Sequence, residues 1–218
     1  MAEFDDQRNS LTVKLVYYGP ALGGKTTNLT RLHDFLHPQL RGEMMVLDTQ
    51  NDRTLFFDLL PLGMTAPSGL TVKLKIFTVP GQVAHDSTRK AVLSRADGVV
   101  FVADSQRTQA HNNAASFENL AENAARVGLD FERLPLVVQF NKRDLPEIET
   151  EEEILQRWGR TPWPVFFGCA LDGRGVVDTF RAVLERVYDA LDARFALHTD
   201  HGLSRGAFGT GIVGGGGA

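Results

Sequence analysis

The chain has 218 residues, 43% of them hydrophobic and 23% charged, which is enough for one globular domain with its own core and short for two. Its formal net charge is −4 and its lysine and arginine residues are scattered, so nothing predicts a nucleic-acid partner. The single cysteine, Cys169, excludes an internal disulfide and favours a reducing, cytoplasmic setting.

Membrane attachment is predicted neither by the chain ends nor by the apolar runs. The first ten residues, MAEFDDQRNS, are acidic and polar, unlike a signal peptide. Residue 2 is alanine rather than the glycine that myristoylation needs, and the ending GGGGA carries no prenylation box. No apolar run approaches the ~20 residues of a membrane span. We expect a cytoplasmic protein without a lipid anchor or transmembrane segment, monomeric when alone.

Apolar runs alternate with helix-period segments along the chain, a pattern typical of an α/β domain. Strand-like runs are predicted, in chain order, at residues 11–18, 44–47, 54–60, 70–79, 98–103, 134–140 and 165–169. Helices are predicted at residues 26–36 and 110–127, and a long closing helix begins at residue 176. The run at 98–103, with VVFVA inside, is typical of a central parallel strand that is covered on both faces.

The predicted domain occupies residues 1–196 and is followed by a tail over residues 197–218. The tail is rich in glycine, ends in GTGIVGGGGA and has little apolar content. A segment of this composition cannot bury enough apolar surface to order itself, so we predict that the tail is disordered.

The first predicted strand runs directly into GPALGGKTT, residues 19–27, which fits the phosphate-binding pattern G-x-x-x-x-G-K-[ST]. Glycines let successive backbone N–H groups point inward, and the N-terminus of the following helix adds partial positive charge. Lys25 would reach the β- and γ-phosphates of a nucleotide, and the Thr26 hydroxyl would bind Mg²⁺. A glycine-rich turn with an incidental lysine is the alternative, and the correct flanking elements disfavour it.

The predicted strand at 134–140 ends at NKRD, residues 141–144, a segment that can select guanine. The carboxylate of Asp144 can accept hydrogen bonds from N1–H and the exocyclic amine of guanine. Adenine lacks these donors and would leave the covered carboxylate unpaired, which is costly. Asn141 would brace the loop and the base, and the aliphatic stem of Lys142 can lie along the ring. The alternative is a solvated loop after a strand.

With these segments in this order, the sequence closely resembles the MglA-type bacterial small GTPases, a Ras-like family associated with cell polarity and gliding motility. The resemblance is carried by five stretches: KLVYYGPALGGKTTNL, NDRTLFFDLLPL, TVPGQV, GVVFVADS and VVQFNKRDLP. It implies an α/β, Ras-like P-loop GTPase domain with a mostly parallel central sheet and helices on both faces. It also implies a nucleotide-dependent shift of the second strand region.

The resemblance further implies roles for the segments between the two motifs. Arg53 would be an arginine finger supplied in cis, and Thr54 would sense Mg²⁺ and the γ-phosphate. Gly81 would contact the γ-phosphate through its N–H, and Gln82 would orient the attacking water. The implied partners are a roadblock-domain GTPase-activating protein similar to MglB and downstream effectors, with recruitment to a cell pole.

Thr78 departs from the Ras-like pattern, in which an Asp at this position binds Mg²⁺ through water. A neutral hydroxyl cannot supply that charge, so we predict weaker Mg²⁺ dependence or slow intrinsic hydrolysis. Asp104, at the end of the strand 98–103, is a nearby carboxylate candidate, although a loop-capping aspartate is the commoner explanation.

The base pocket would be completed by GCALDG, residues 168–173, where the resemblance implies that the backbone N–H of Ala170 meets guanine O6. The motifs and the resemblance together predict three groups of site residues. Binding is assigned to Gly19, Gly23, Gly24, Lys25, Thr26, Thr27, Thr54, Gly81, Asn141, Lys142, Asp144, Cys169, Ala170 and Leu171; catalysis to Gln82, Arg53 and Lys25; and metal ligation to Thr26 and Thr54.

The leading hypothesis is a molecular switch that binds GTP or GDP with Mg²⁺, hydrolyses GTP and presents different surfaces in the two states. A second hypothesis is a GTP- or GDP-dependent interaction module with little intrinsic hydrolysis. An ATP-using P-loop kinase is disfavoured because it would leave NKRD without a role.

Overall fold

The part of the chain that the structure describes, residues 2–36, 41–47, 57–81 and 86–213 of a computed structural model, contains one sheet flanked by helices. Its strands are β1 (Glu3–Asp5), β2 (Ser10–Tyr18), β3 (Met45–Leu47), β4 (Phe57–Thr65), β5 (Thr71–Thr78), β6 (Gly98–Asp104), β7 (Leu136–Asn141) and β8 (Val165–Phe167). Its helices are α1 (Lys25–Phe35), α2 (Asp86–Leu93), α3 (Ala110–Arg126), α4 (Glu151–Trp158), α5 (Val176–Phe195) and α6 (Arg205–Val213).

The strand order across the sheet is β3-β4-β5-β2-β6-β7-β8, and β1 pairs with the start of β2. The pairs from β5 through β2, β6 and β7 to β8 are parallel, whereas β1, β3 and β4 are joined antiparallel. This confirms the predicted mostly parallel sheet. Because the carboxyl ends of β2, β6, β7 and β8 meet at one edge, the loops that follow them converge there.

The core lies on both faces of the sheet, and β6 shows why. All seven of its residues are buried. Val100 and Val102 pack in the cluster that contains the apolar side chains of α1, α5 and α6, whereas Val99 and Phe101 pack in the cluster that contains those of α2, α3 and α4. This alternation is the pleat of a strand covered on both sides, and it confirms the predicted helices on both faces.

Four elements were not predicted from the sequence: β1, α2, α4 and α6. The start of α4 did carry a signal, because Thr150 and Glu153 form a capping box. The Thr150 hydroxyl accepts from the N–H of Glu153 at 3.2 Å, and the Glu153 carboxylate accepts from the N–H of Thr150 at 2.7 Å. Strand β4 also extends to Thr65, beyond the predicted end at residue 60, because its ladder with β5 continues through Pro61 and Gly63.

The expected disorder from residue 197 is wrong for residues 197–213, which include α6. Leu197, Leu203 and Phe208 are buried in the core, and the hydroxyl of Tyr188 in α5 donates to the carbonyl oxygen of Leu203 at 2.7 Å. Averaged composition concealed these three apolar side chains among the glycines. Residues 214–218, with the GGGGA ending, lie outside the described residues, so their disorder stays a prediction.

Phe208→Ala is expected to lower the free energy of unfolding by about 3–5 kcal/mol, because it removes a fully buried ring that packs against Tyr188. Urea unfolding of the full chain, followed by circular dichroism, measures the loss. Arg205→Ala is the matched control in the same helix, because Arg205 pairs with Asp189 at the surface and its loss should have little effect. Equal stability of the two variants would contradict a packed α6.

Candidate nucleotide-binding site

The predicted phosphate loop, residues 19–27, joins β2 to α1 and contains two glycines at positions without room for a side chain. Gly19 has a φ of +142°, and a Cβ there would lie 2.2 Å from the carbonyl oxygen of Val102. Gly24 has a φ of +98°, and its Cβ would lie 2.1 Å from Nδ2 of Asn141. Helix α1 begins after Gly24 without a side-chain cap. An uncapped helix start behind a glycine loop fits the binding of phosphate groups.

Lys25 is buried within this loop. Its Nζ donates to the carbonyl oxygens of Gly19 at 3.0 Å and Pro20 at 2.7 Å. Burial lowers the pKa of its ammonium group to about 7; Arg89 adds to the lowering and Asp58 opposes it. Because an ammonium group has three donors, two carbonyl bonds orient it without exhausting it. The group can therefore meet an anion held by the loop.

A cavity of about 260 Å³ is shared by the phosphate loop and the two predicted base-binding loops. Its lining includes eight of the predicted binding residues: Gly24 and Thr27; Asn141, Lys142 and Asp144; and Cys169, Ala170 and Leu171. Leu22 and Leu145 also line it and were not predicted. A larger cavity of about 540 Å³ lies near Phe4 and Phe195, and no predicted motif lines it.

The side chain of Asn141 joins the three loops around the cavity. It is buried, its Nδ2 donates to the carbonyl oxygen of Gly23 at 2.9 Å, and its Oδ1 accepts from the N–H of Ala170 at 2.8 Å. The guanidinium of Arg31 in α1 donates to the carbonyl oxygen of Leu171 at 2.6 Å, which adds a further tie to the third loop. The loops are therefore held as one unit.

The backbone N–H of Ala170 already has a partner within the protein. This N–H, which is expected to meet guanine O6 when a base is bound, donates to the Oδ1 of Asn141 in the structure. Ala170 is buried, and a buried N–H needs an acceptor within the protein. The loop still lines the cavity, but this donor is engaged internally.

Lys142 is held by a carboxylate on the neighbouring strand. Its Nζ lies 2.6 Å from Oδ2 of Asp104, whose other carboxylate oxygen accepts from the N–H of Gln106 at 3.0 Å. Asp104 therefore caps its loop and fixes the lysine, so the candidate role near Thr78 is not supported. The stem of Lys142, held at both ends, can present a flat apolar surface to a base.

The Asp144 carboxylate is exposed to solvent in the structure, so a bound base could reach it. The thiol of Cys169 donates to its Oδ1 at 3.1 Å. Burial, and then the hydrogen bond to Asp144, raise the pKa of Cys169, so the thiol is neutral near pH 7. Cys169 acts as a small donor that orients Asp144 and lacks the thiolate character of a reactive cysteine.

The switch region is described only in part. Gly81 lies against the phosphate loop, because a Cβ there would be 2.3 Å from Cα of Ala21. Thr78 is buried at the end of β5. The predicted residues Arg53, Thr54 and Gln82 lie outside the described residues, so the structure does not place them.

Thr26 and Thr78 are joined by a residue that the sequence analysis missed, Asp58 on β4. Its Oδ2 accepts from the hydroxyl of Thr26 at 2.6 Å and from that of Thr78 at 3.0 Å. A carboxylate in the apolar run LFFDLLPL was the available signal, because a buried charge needs a partner. Mg²⁺ prefers oxygen ligands, and the oxygen atoms of Thr26 and Asp58 beside the phosphate loop fit this preference.

Comparisons with known proteins agree with this geometry. A family model described as the ADP-ribosylation factor family matches residues 64–187, which include NKRD and the loop of Ala170. Mutual gliding-motility protein MglA from Myxococcus xanthus (strain DK1622) is 44% identical over 181 residues, a match that covers 83% of this chain and 93% of the relative. Among the described residues, no helix is long and apolar enough to span a membrane.

Proposed function

The chain belongs to the ADP-ribosylation factor family of Ras-like small GTPases, which bind guanine nucleotides and hydrolyse GTP, and we propose that this member is a switch for gliding motility and cell polarity. The observation that carries the proposal is the single cavity bordered by the phosphate loop, NKRD and the loop of Ala170. The buried Asn141 ties all three together. The process itself is inferred from the name of the relative.

The nucleotide would lie with its phosphates at the start of α1 and its base at Asp144. Backbone N–H groups from Gly23 onward and the ammonium of Lys25 would hold the phosphate oxygens. Asp144, oriented by Cys169, would accept from N1–H and the exocyclic amine of guanine, with Lys142 along the ring. Thr27 and Leu171 would complete the walls of the cavity.

Hydrolysis would depend on positioning and charge. Gln82 would orient the attacking water, and the guanidinium of Arg53 would stabilise the charge that develops on the transferring phosphate. Gly81 packs against the phosphate loop, which supports a role for its N–H at the γ-phosphate. Mg²⁺, held by Thr26 and Thr54, would neutralise phosphate charge when bound.

A roadblock-domain protein similar to MglB is the proposed activating partner, and effectors would bind the GTP state. Contacts from the γ-phosphate would order the segments around Arg53 and Gln82, and hydrolysis would release them. This two-state surface is what would couple nucleotide to partner choice. We place the protein in the cytoplasm, with recruitment to a cell pole.

The test is nucleotide competition followed by single-turnover hydrolysis with the purified full chain. Unlabelled GDP and GTP should displace a fluorescent GDP, whereas a thousandfold excess of ATP should not; displacement by ATP at equal concentration would contradict a guanine site. Phosphate release should then accelerate when a roadblock-domain protein is added. Tight GTP binding without any release, with or without that partner, would favour the non-hydrolysing interaction module.

A further inference from the structure

The carboxylate of Asp58 is buried between the phosphate loop and the end of β5. At the end of β5, Thr78 stands where the Ras-like pattern has an Asp. Asp58 is 6% exposed. Its Oδ2 accepts hydrogen bonds from the hydroxyls of both Thr26 and Thr78, and its own N–H donates to the Thr78 hydroxyl at 2.9 Å. One carboxylate oxygen thus links the first turn of α1 to the end of β5.

The antiparallel ladder between β4 and β5 explains this arrangement. Leu59 pairs with Phe77, so Asp58 is opposite Thr78 one step further along the ladder. Side chains on directly opposite positions point to the same face of the sheet. Thr78 both accepts from the backbone of Asp58 and donates to its carboxylate, which fixes the carboxylate's orientation. Thr78 is therefore a positioning residue for Asp58.

The bond from Thr26 has a direct consequence for a cation. A hydroxyl has one proton and two lone pairs, and a hydroxyl that binds a cation must direct its proton elsewhere. Here the proton is directed at Asp58, which leaves the lone pairs of Thr26 for a metal ion. Partners that orient a ligand in this way commonly change metal affinity 10- to 100-fold.

We propose that Asp58 supplies, from the neighbouring strand, the negative charge that Thr78 cannot supply, and that it orients the Thr26 hydroxyl toward Mg²⁺. The inference rests on the proposed function, because it concerns the Mg²⁺ that accompanies the bound nucleotide. Asp104, the other carboxylate considered, is paired with Lys142 and does not compete for this role. The chain therefore keeps a carboxylate at its metal site although position 78 is threonine.

The experiment titrates Mg²⁺ against the release of fluorescent GDP from the full chain, with free Mg²⁺ set by an EDTA buffer. Asp58→Asn keeps the size and an acceptor oxygen but removes the charge. The free Mg²⁺ that half-protects against release should rise at least tenfold. The release rate without Mg²⁺ should stay equal or fall, because a negative charge near the phosphates has been removed.

The double variant Asp58→Asn/Thr78→Asp separates charge from structure. It returns a carboxylate to the facing position on β5, so its half-protecting Mg²⁺ concentration should come back to within about threefold of the native value. Glu149→Gln is the matched control: Glu149 is a buried carboxylate that pairs with Arg157 outside the cavity lining, and its Mg²⁺ titration should match the native one. Thermal melting with GDP and EDTA verifies that each variant is folded.

The outcomes are distinct. An unchanged Mg²⁺ titration for folded Asp58→Asn would overturn the inference while the proposed function stands, because GDP still binds. A weakened titration that Thr78→Asp does not restore would also overturn it, since structure rather than charge would be responsible. A native chain that binds no GDP would overturn the inference and the proposed function together.

Discussion

Asp144→Asn is expected to lower the affinity for GDP and GTP roughly a thousandfold and to create affinity for xanthine nucleotides. Guanine presents two donors, N1–H and the exocyclic amine, and a carboxylate can accept from both. An amide can accept only one of these bonds and turns its own NH₂ toward the second donor. Xanthine has an oxygen in place of the amine, so it offers one donor and one acceptor, which match the amide.

Competition of fluorescent GDP by GDP, XDP and ADP measures this change of specificity. Glu147→Gln, an exposed carboxylate three residues further along the same loop, is the matched control and should bind GDP like the native chain. An Asp144→Asn variant that keeps native GDP affinity would exclude Asp144 as the base acceptor. If the variant loses affinity for GDP and gains none for XDP, misfolding could explain the loss. Melting curves therefore accompany the titrations and show whether the variant is folded.

Removal of Arg53 or Gln82 is expected to lower partner-stimulated GTP hydrolysis about a thousandfold or more, with little change in GTP affinity. A guanidinium that meets charge developing in the transition state contributes to the rate far more than to binding of the ground state. Arginine fingers in phosphoryl transfer commonly contribute 10³- to 10⁵-fold to kcat. The proposed role of the glutamine is on the water, so its removal should likewise spare the binding of GTP.

Single-turnover phosphate release from Arg53→Ala and Gln82→Ala, each with a roadblock-domain protein present, gives the rates, and GTP titrations give the affinities. Arg8→Ala is a control because Arg8 is exposed near the start of the chain and pairs with Asp5. Native rates in both variants would refute the two assignments. An equal fall in GTP affinity would indicate that the substitution disrupts nucleotide binding rather than the hydrolysis step alone.

The fold was predictable from the sequence where a local pattern decides the structure. The apolar run of β6 can only be a strand covered on both sides, and its burial pattern agrees. The order of residues 197–213 could not be predicted, because Leu197, Leu203 and Phe208 become buried only when they pack against α5 and the sheet. Isolated apolar residues among glycines carry no periodic signal.

The site, too, was predictable from the sequence only where a local pattern decides the structure. Gly19 and Gly24 stand at positive φ in a turn, which is a requirement of the local backbone, and their spacing is visible in the sequence. Asp58 depends instead on the register of β4 against β5, a pairing over 20 residues of sequence that no motif encodes. For the same reason the bond from the Ala170 N–H to Asn141 was not predicted, since its acceptor comes from a different loop.

The single side chain of Asn141 also has a thermodynamic consequence. It touches Gly23, at the phosphate end of the cavity, and Ala170, at the base end, so a displacement of either loop must be transmitted to the other. Free energies of binding for the two halves of a nucleotide are then not additive. If binding of the base strengthens binding of the phosphates by some free energy, binding of the phosphates strengthens binding of the base by the same amount, because such coupling is reciprocal.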